Sequence, residues 1–386
     1  MKGIILAAGE GQRLRPLTKN MPKVMIPVGN KPILQYVIEA MAKSGIREIS
    51  IVVGYHSEKV RQYFGNGGNF GVKIHYVMQE KQLGTSHALH QARTDDDFIL
   101  VAGDNIISEE CLKGLINEKK NTILGIFSKN ASKYGVIEQR DGKLVNIEEK
   151  MPKMGENLIF TGMGLFGPEI FDEIEKALEE GIYELPKVLA RMEEIRVFMG
   201  ECVWKDAIYP WDLLDLNSWA LKDIARVLSG KVERAEITGK VEIGEGTVIS
   251  GGAYIRGPVK IGKNCYIGPN SVILPNTSIG NDVSIGAQTF IKNSIIMSST
   301  TIAHQSSIEN SVIGRGCSIG ARFSAISAPF DKVIGGDILH VRDGGVIMGD
   351  DCRIGAEVSI YQGCRVGTGT KVGSGLIIKE DMGSVV

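Results

Sequence analysis

Between residues 237 and 291 an isoleucine stands at every sixth position: Ile237, Ile243, Ile249, Ile255, Ile261, Ile267, Ile273, Ile279, Ile285 and Ile291. A helix would place apolar residues three and four apart, and a half-buried strand would alternate them. A sustained period of six instead specifies a parallel β-helix, each hexad forming one flat side of a triangular coil. The branched residue points into the core, and a small residue, often the glycine that follows, makes the corner. The frame slips by one at Ile296, Ile302 and Ile308 and again at Ile313 and Ile319, then resumes at Ile354, Ile360, Val366, Val372 and Ile378. Between them "AISAPFDKVIGGDILHVRDGG" (residues 325–345) breaks the repeat, which predicts a loop thrown out of the coil stack.

The preceding stretch reads differently. "GIILAA", "EISIVVG", "KIHYVMQ" and "DFILVAGD" have the apolar continuity of buried strands, and helix-like segments lie between them at Pro32–Ser44, Glu58–Phe64, Thr85–Ala92 and Glu109–Lys119. That alternation predicts a Rossmann-like, doubly wound α/β sheet. After Asp104, "TILGIF", "YGVIEQ" and "KLVNIEE" predict a mixed extension of it, and Pro210–Leu228 reads as one long helix. With 386 residues two domains are expected, at 1–229 and 230–386.

The chain is near neutral, with a formal net charge of -1 and 23% charged residues, so nothing drives it in bulk toward nucleic acid or membrane. No apolar run approaches the roughly 18 residues of a bilayer span, and "IILAA" is too short for a signal peptide. A cytoplasmic protein is expected. Against that neutrality the opening "MKGIILAAGEGQRLRPLTKNMPK" is unusual. From Gly11 to Ile38 there is no Asp or Glu, whereas Arg13, Arg15, Lys19, Lys23 and Lys31 are basic. A strand followed by a glycine-containing turn can offer backbone N–H groups to a phosphate, and Arg13 and Lys23 can neutralise it.

"LAAGEGQRLRPLT" followed by "PKVMIPVGNKPIL" resembles the fingerprint of the sugar-1-phosphate nucleotidylyltransferases. "VMQEKQLGTSHAL", "VAGDN", "YGVIE", "NIEEKM" and "WKDAIYPWDLLDLN" resemble further pieces of that family in its order, and hexapeptide tails are common in it, closest to archaeal bifunctional forms. The resemblance implies the reaction of a nucleoside triphosphate, UTP or dTTP, with a sugar 1-phosphate such as glucose or N-acetylglucosamine 1-phosphate, giving the NDP-sugar and diphosphate. It implies Arg13, Lys23 and Asp104 as catalytic residues, with Asp104 and Asp206 holding Mg2+. Ala7, Ala8, Gly9, Gln79, Gly84 and Thr85 would receive the nucleotide. Gly135, Glu149, Lys150 and Thr161 would receive the sugar phosphate, Glu149 being preferred over Glu148 by strand alternation. Asp212 is expected to cap the helix after Pro210–Trp211. Two alternatives remain: a bifunctional enzyme that also acetylates an amino-sugar phosphate, and a non-catalytic scaffold that kept the fold.

The acetyl-transfer alternative rests on His304, in "TIAHQSSIENSVIGRGCSIGA". Ser307 stands where those relatives carry Tyr, and "GARFSAIS", with Arg322, replaces their "GAGTxxAN". Otherwise the coil stack serves assembly into a homotrimer or other homo-oligomer. The six cysteines show no CxxC or metal spacing and are expected as free thiols. His87 and His90, three apart, are expected on a solvated helix face.

Overall fold

The computed structural model describes residues 1–129, 131–149 and 155–385. The chain forms two compact units that do not follow its linear order: Met1–Glu10, Pro22–Met25 and Ile33–Asp206 make the first, and Gly11–Met21, Ile26–Pro32 and Ala207–Val386 the second.

The first unit is built on a nine-stranded sheet. In chain order its strands are β1 (Lys2–Ala7), β2 (Glu48–Val53), β3 (Lys73–Met78), β4 (Phe98–Ala102), β5 (Thr122–Ser128), β6 (Gly135–Arg140), β7 (Lys143–Glu149), β8 (Asn157–Phe166) and β9 (Arg196–Met199). They lie side by side as β3-β2-β1-β4-β8-β5-β9-β7-β6. β3, β2, β1 and β4 run parallel, whereas β8 joins β4 antiparallel. The sheet is therefore mixed, as the broken rhythm after Asp104 predicted. Strand β4 is apolar throughout because Phe98, Ile99, Leu100 and Val101 are all fully buried. Phe98 packs on Phe166 and Phe171, with ring centroids 6.0 and 5.5 Å away.

The hexads of the second unit become three parallel sheets of eight strands each. Each side of the coil stacks like on like. Ile249 pairs with Ile267, Ile285, Ile302, Ile319, Ile354 and Val372 in turn up one face, and these side chains form one continuous core. The frame slips leave the columns intact: Ile279 still stacks on Ile296 and Ile296 on Ile313. Met348 takes the next place in that column. Corners require a left-handed residue, supplied by Asn264, Asn270 and Asn276 (φ 54, 56 and 63) and elsewhere by glycine. The parallel stack of three faces is that of a left-handed β-helix.

Two expectations are corrected. The helix predicted to reach Leu228 spans only Asp212–Leu221. Val227–Leu228 instead pairs with Glu242–Ile243 as the first rung of the stack, where its backbone groups find partners a helix end would leave open. The loop at 325–345 is an ordered antiparallel hairpin, Ala328–Ile334 with Asp337–Gly344. No helix among the described residues is long and apolar enough to cross a membrane.

Candidate functional site

In the first unit the ends of β1, β2 and β4 make one rim. Ala7 closes β1, Ala8 follows it, and both are buried, while Gly9 is exposed with open space where a Cβ would point. Backbones crowd beside it: a Cβ on Gly54 would lie 2.9 Å from the Ala8 carbonyl oxygen. Gln82 donates its amide to that same oxygen at 2.7 Å.

Gln79, immediately after β3, is buried. Its amide nitrogen lies 3.2 Å from the Gly84 carbonyl oxygen and 3.0 Å from His87 Nδ1. Gly84 is required by packing, since a Cβ there would sit 2.4 Å from the Tyr183 carbonyl oxygen. Thr85 starts the helix Thr85–Gln91, yet its hydroxyl accepts from Leu185 N–H at 2.8 Å and caps no amide of its own helix. Ala8, Gly9, Gln79, Gly84 and Thr85 thus surround the carboxyl edge of the parallel strands, the ordinary place for a ligand in such a sheet. His87 was expected to face solvent. It holds Gln79 instead, and only the tertiary pairing of helix and strand end reveals this.

Asp104 follows β4. One residue further, Asn105–Ile107 forms a short antiparallel pair with Trp204–Asp206, in which Asp206 lies opposite Asn105. That register brings the two carboxylates together from positions far apart in sequence. Lys23, on a single 3-10 turn, places its ammonium 2.6 Å from Asp104 Oδ2 and 2.9 Å from Asp206 Oδ1, with only 13% of its side chain exposed. Burial would push the Lys23 ammonium down. The charges of Asp104 and Asp206, with hydrogen bonds to both, overcome it and hold its pKa above the ordinary lysine value. Asp212, expected to cap the helix Asp212–Leu221, is its first residue, and its carboxylate instead accepts the N–H groups of Ile208 and Tyr209 ahead of the helix at 3.0 and 2.8 Å.

Two carboxylate oxygens converging on one cation are the donor set a divalent ion needs when substrate oxygens complete its shell. Among the described residues no group of three or more His, Cys, Asp or Glu side chains is placed to hold a metal, so water or substrate oxygens would complete the shell of an ion at this pair.

On the sugar-side strands, Gly135 pairs directly with Glu149 across β6 and β7. A Cβ on Gly135 would meet the Ile147 methyl at 2.7 Å, which explains the glycine. The side chain of Glu149 and the whole of Lys150 lie outside the described residues. Thr161 is buried in the irregular middle of β8. Its hydroxyl donates to the Leu124 carbonyl at 2.8 Å and accepts from Met163 N–H at 3.3 Å, so it shapes the strand and presents no group outward. Arg13 belongs to the second unit. His304, also there, is exposed beside the left-handed corner residue Gln305, and Arg322 occupies another left-handed corner, paired with Glu357.

The thiol expectation fails at one pair. Cys111 and Cys202 form a disulfide, which ties the helix Glu109–Ile116 to the segment leading into Asp206. The other four cysteines are reduced and buried in the coil stack. Spacing could not show the pair, because 91 residues separate its members.

The model of the nucleotidyl transferase family matches residues 2–221. The chain belongs to the nucleotidyl transferase family. Residues 255–348 further match a GMPPB C-terminal domain and residues 345–380 a hexapeptide repeat of succinyl-transferase. Among curated relatives, a "Bifunctional protein GlmU" of Methanococcus maripaludis is 40% identical over 99% of this chain and 95% of its own length. A "Bifunctional sugar-1-phosphate nucleotidylyltransferase/acetyltransferase" of Sulfurisphaera tokodaii is 34% identical over 99% of this chain and 98% of its own. A crystal structure of a Bacillus anthracis protein, provisionally assigned as a glucose-1-phosphate thymidylyltransferase, superposes with a TM-score of 0.53 at 27% identity, covering 59% of this chain and 98% of that one. Nucleotidyl transferases of this kind generally use a divalent metal.

Proposed function

We propose that the protein is a sugar-1-phosphate nucleotidylyltransferase that joins UTP or dTTP to a sugar 1-phosphate and releases diphosphate. The observation carrying this is the Lys23 ammonium held between Asp104 and Asp206 at the carboxyl edge of a nucleotidyl transferase sheet. The nucleophile is a phosphate oxygen of the sugar phosphate, already anionic because its second pKa lies near about 6. It attacks the α-phosphorus, and the bond from that phosphorus to the bridging oxygen breaks. No general base is needed. What the protein must supply is alignment of two polyanions and cations for the charge that moves onto the leaving diphosphate.

Lys23 spends two of its three N–H donors on the carboxylates, and the third is proposed for a phosphate oxygen. Asp104 and Asp206 would hold Mg2+, which when bound supplies charge compensation between the phosphates. Arg13 is assigned to phosphate by its place in the fingerprint. Gln79 bears on base choice. With its NH2 donating to Gly84 and His87, its carbonyl oxygen is the group left to face a base. An acceptor there suits the N3–H of uracil or thymine and opposes the unprotonated N3 of cytosine. Gly135, Glu149, Lys150 and Thr161 are proposed for the sugar-phosphate side, Thr161 acting through strand shape. The linear domains 1–229 and 230–386, a cytoplasmic location, and a homotrimer or other homo-oligomer through the flat coil faces complete the proposal.

Acetyl transfer is the second reading, favoured by the bifunctional relatives that span the whole chain. It assigns His304 as general base. Diphosphate release from four NTPs against glucose and N-acetylglucosamine 1-phosphates tests the main reading, and Asp104→Ala should lower turnover by orders of magnitude in a folded protein. Normal turnover in that variant refutes the assignment. Acetyl-CoA consumption with glucosamine 1-phosphate, abolished by His304→Ala, tests the second.

A further inference from the structure

Within the first unit the two site carboxylates depend on a very short ladder. Asn105–Ile107 and Trp204–Asp206 pair over three residues, with Asp206 opposite Asn105 at one end and Trp204 opposite Ile107 at the other. A two-stranded pair of this kind is marginal by itself. Asn105, Ile106 and Ile107 are buried, but Trp204, Lys205 and Asp206 are each partly exposed. The Trp204 indole N–H is buried without a hydrogen-bond partner, a cost the pair also carries. The chain leaves this unit directly after Asp206, so no later part of the strand anchors it there.

Both ends of the ladder are fastened. At the carboxylate end the Lys23 ammonium reaches Asp104 and Asp206 together. At the other end the chain runs from Ile107 through Ser108 into the helix Glu109–Ile116, and its Cys111 is joined to Cys202, just ahead of Trp204. Beside that bond the Ser108 N–H donates to the Val203 carbonyl at 2.9 Å, and the Val203 N–H donates to Ser108 Oγ at 3.3 Å. One segment thus carries Asp104 and Cys111, the other Cys202 and Asp206.

We propose that the Cys111–Cys202 bond is a positioning element for the Asp104–Asp206 pair, and that its reduction by a dithiol weakens divalent-ion binding there and slows nucleotidyl transfer. The effect on transfer rests on the nucleotidylyltransferase reading above. A divalent ion competes with Lys23 for the same oxygens and so loosens the clamp at the carboxylate end. The cross-link then keeps the register. Mg2+ accepts little slack, because it holds its oxygens at about 2.0–2.1 Å in near-octahedral order. Cys111 is 1% exposed and Cys202 partly exposed. A thiolate of the dithiol therefore attacks Cys202 Sγ, and Cys111 leaves as a thiolate and takes up a proton. The second thiol closes on the first and releases Cys202. The dithiol ends as its cyclic disulfide, having supplied both electrons and both protons.

The test uses the full chain, before and after dithiothreitol and with Cys111→Ser or Cys202→Ser. The first readout is the Mg2+ concentration at half-maximal diphosphate release from UTP and glucose 1-phosphate. The second is Mn2+ binding without nucleotide, by electron paramagnetic resonance, with the same treatments in Lys23→Met, whose carboxylates have lost their own cation. Opening the bond should raise the Mg2+ half-saturation and the Mn2+ Kd about tenfold, the lower end for losing a group that orients a metal ligand. KM for glucose 1-phosphate should stay as it was. Dithiothreitol should add nothing in either serine variant, and reoxidation should restore the wild type. Unchanged Mg2+ and Mn2+ values overturn the inference, as does an equal rise in KM for the sugar phosphate. So does a loss of rate that tracks loss of the far-UV dichroism, the mark of a bond that serves stability alone. If the wild type releases no diphosphate, the reading of function fails, and the Mn2+ measurement still decides the positioning role.

Discussion

Replacing Lys23 by Met keeps an unbranched side chain of similar length and removes only the ammonium. Lys23 and Asp206 are 13% and 14% exposed and Asp104 32%. Deleting one partner of a fully buried pair costs roughly 3–5 kcal/mol. Water reaches Asp104 and takes over part of that loss, so about 2 kcal/mol is the expected destabilisation. For a unit of this size that is about 4–8 °C in Tm. The change leaves two carboxylates facing one another without a cation, so Mg2+ should gain a place to bind. By linkage, an ion at about a hundred times its Kd returns roughly 2.7 kcal/mol. The assay is thermal unfolding of both proteins in EDTA and in Mg2+ without nucleotide. The variant should recover most of its lost Tm in Mg2+, and the wild type should gain little because Lys23 already occupies the same oxygens. Because the Lys23 pKa is raised, its stabilisation is complete below the ordinary lysine value and is lost only as pH climbs beyond it. The difference between the proteins should therefore be flat through neutral pH. A variant that melts with the wild type in EDTA, or an equal Mg2+ shift in both, refutes the account of the cluster.

Cys202→Ser opens a cross-link spanning 91 residues; loop-closure entropy puts the loss at about 4.6 kcal/mol, visible as a lower urea midpoint that reducing agent reproduces in the wild type alone. His87→Ala removes the group that holds the Gln79 amide; the ratio of kcat/KM for UTP over CTP should fall about tenfold, and an unchanged ratio would discard the role given to Gln79. Tyr209 is pushed up to about 12 by burial, then by its bond to Asp337. A raised pKa means this contribution is complete below the ordinary value of 10 and is lost between about 10 and 12. Tyr209→Phe should therefore close part of its stability gap to the wild type over that window in alkaline unfolding curves.

The coil stack was legible almost residue by residue, because a parallel β-helix repeats one local environment and each isoleucine answers to its own hexad. Asp104 was legible for a related reason: an apolar run ending in a carboxylate marks a strand end wherever it occurs. Other features obey no local rule. The partnership of Asp206 with Asp104 depends on the pairing of Trp204–Asp206 with Asn105–Ile107. The disulfide depends on the helix at Cys111 meeting the segment at Cys202, and the grip of His87 on Gln79 depends on where a helix face lands. The helix read through Leu228 stopped at Leu221, because a strand partner outweighed a continued apolar period.

The amino-acid pattern alone thus determined the class of both folds, the order of the fingerprint and the residue types available for phosphate and metal. Tertiary structure alone decided which of those residues face one another, and it placed Arg13 beside a carboxylate that arrives from the far end of the chain. Periodicity encodes the environment of each residue. Contact between distant residues is set only when whole elements pack, and a local pattern carries no record of that step.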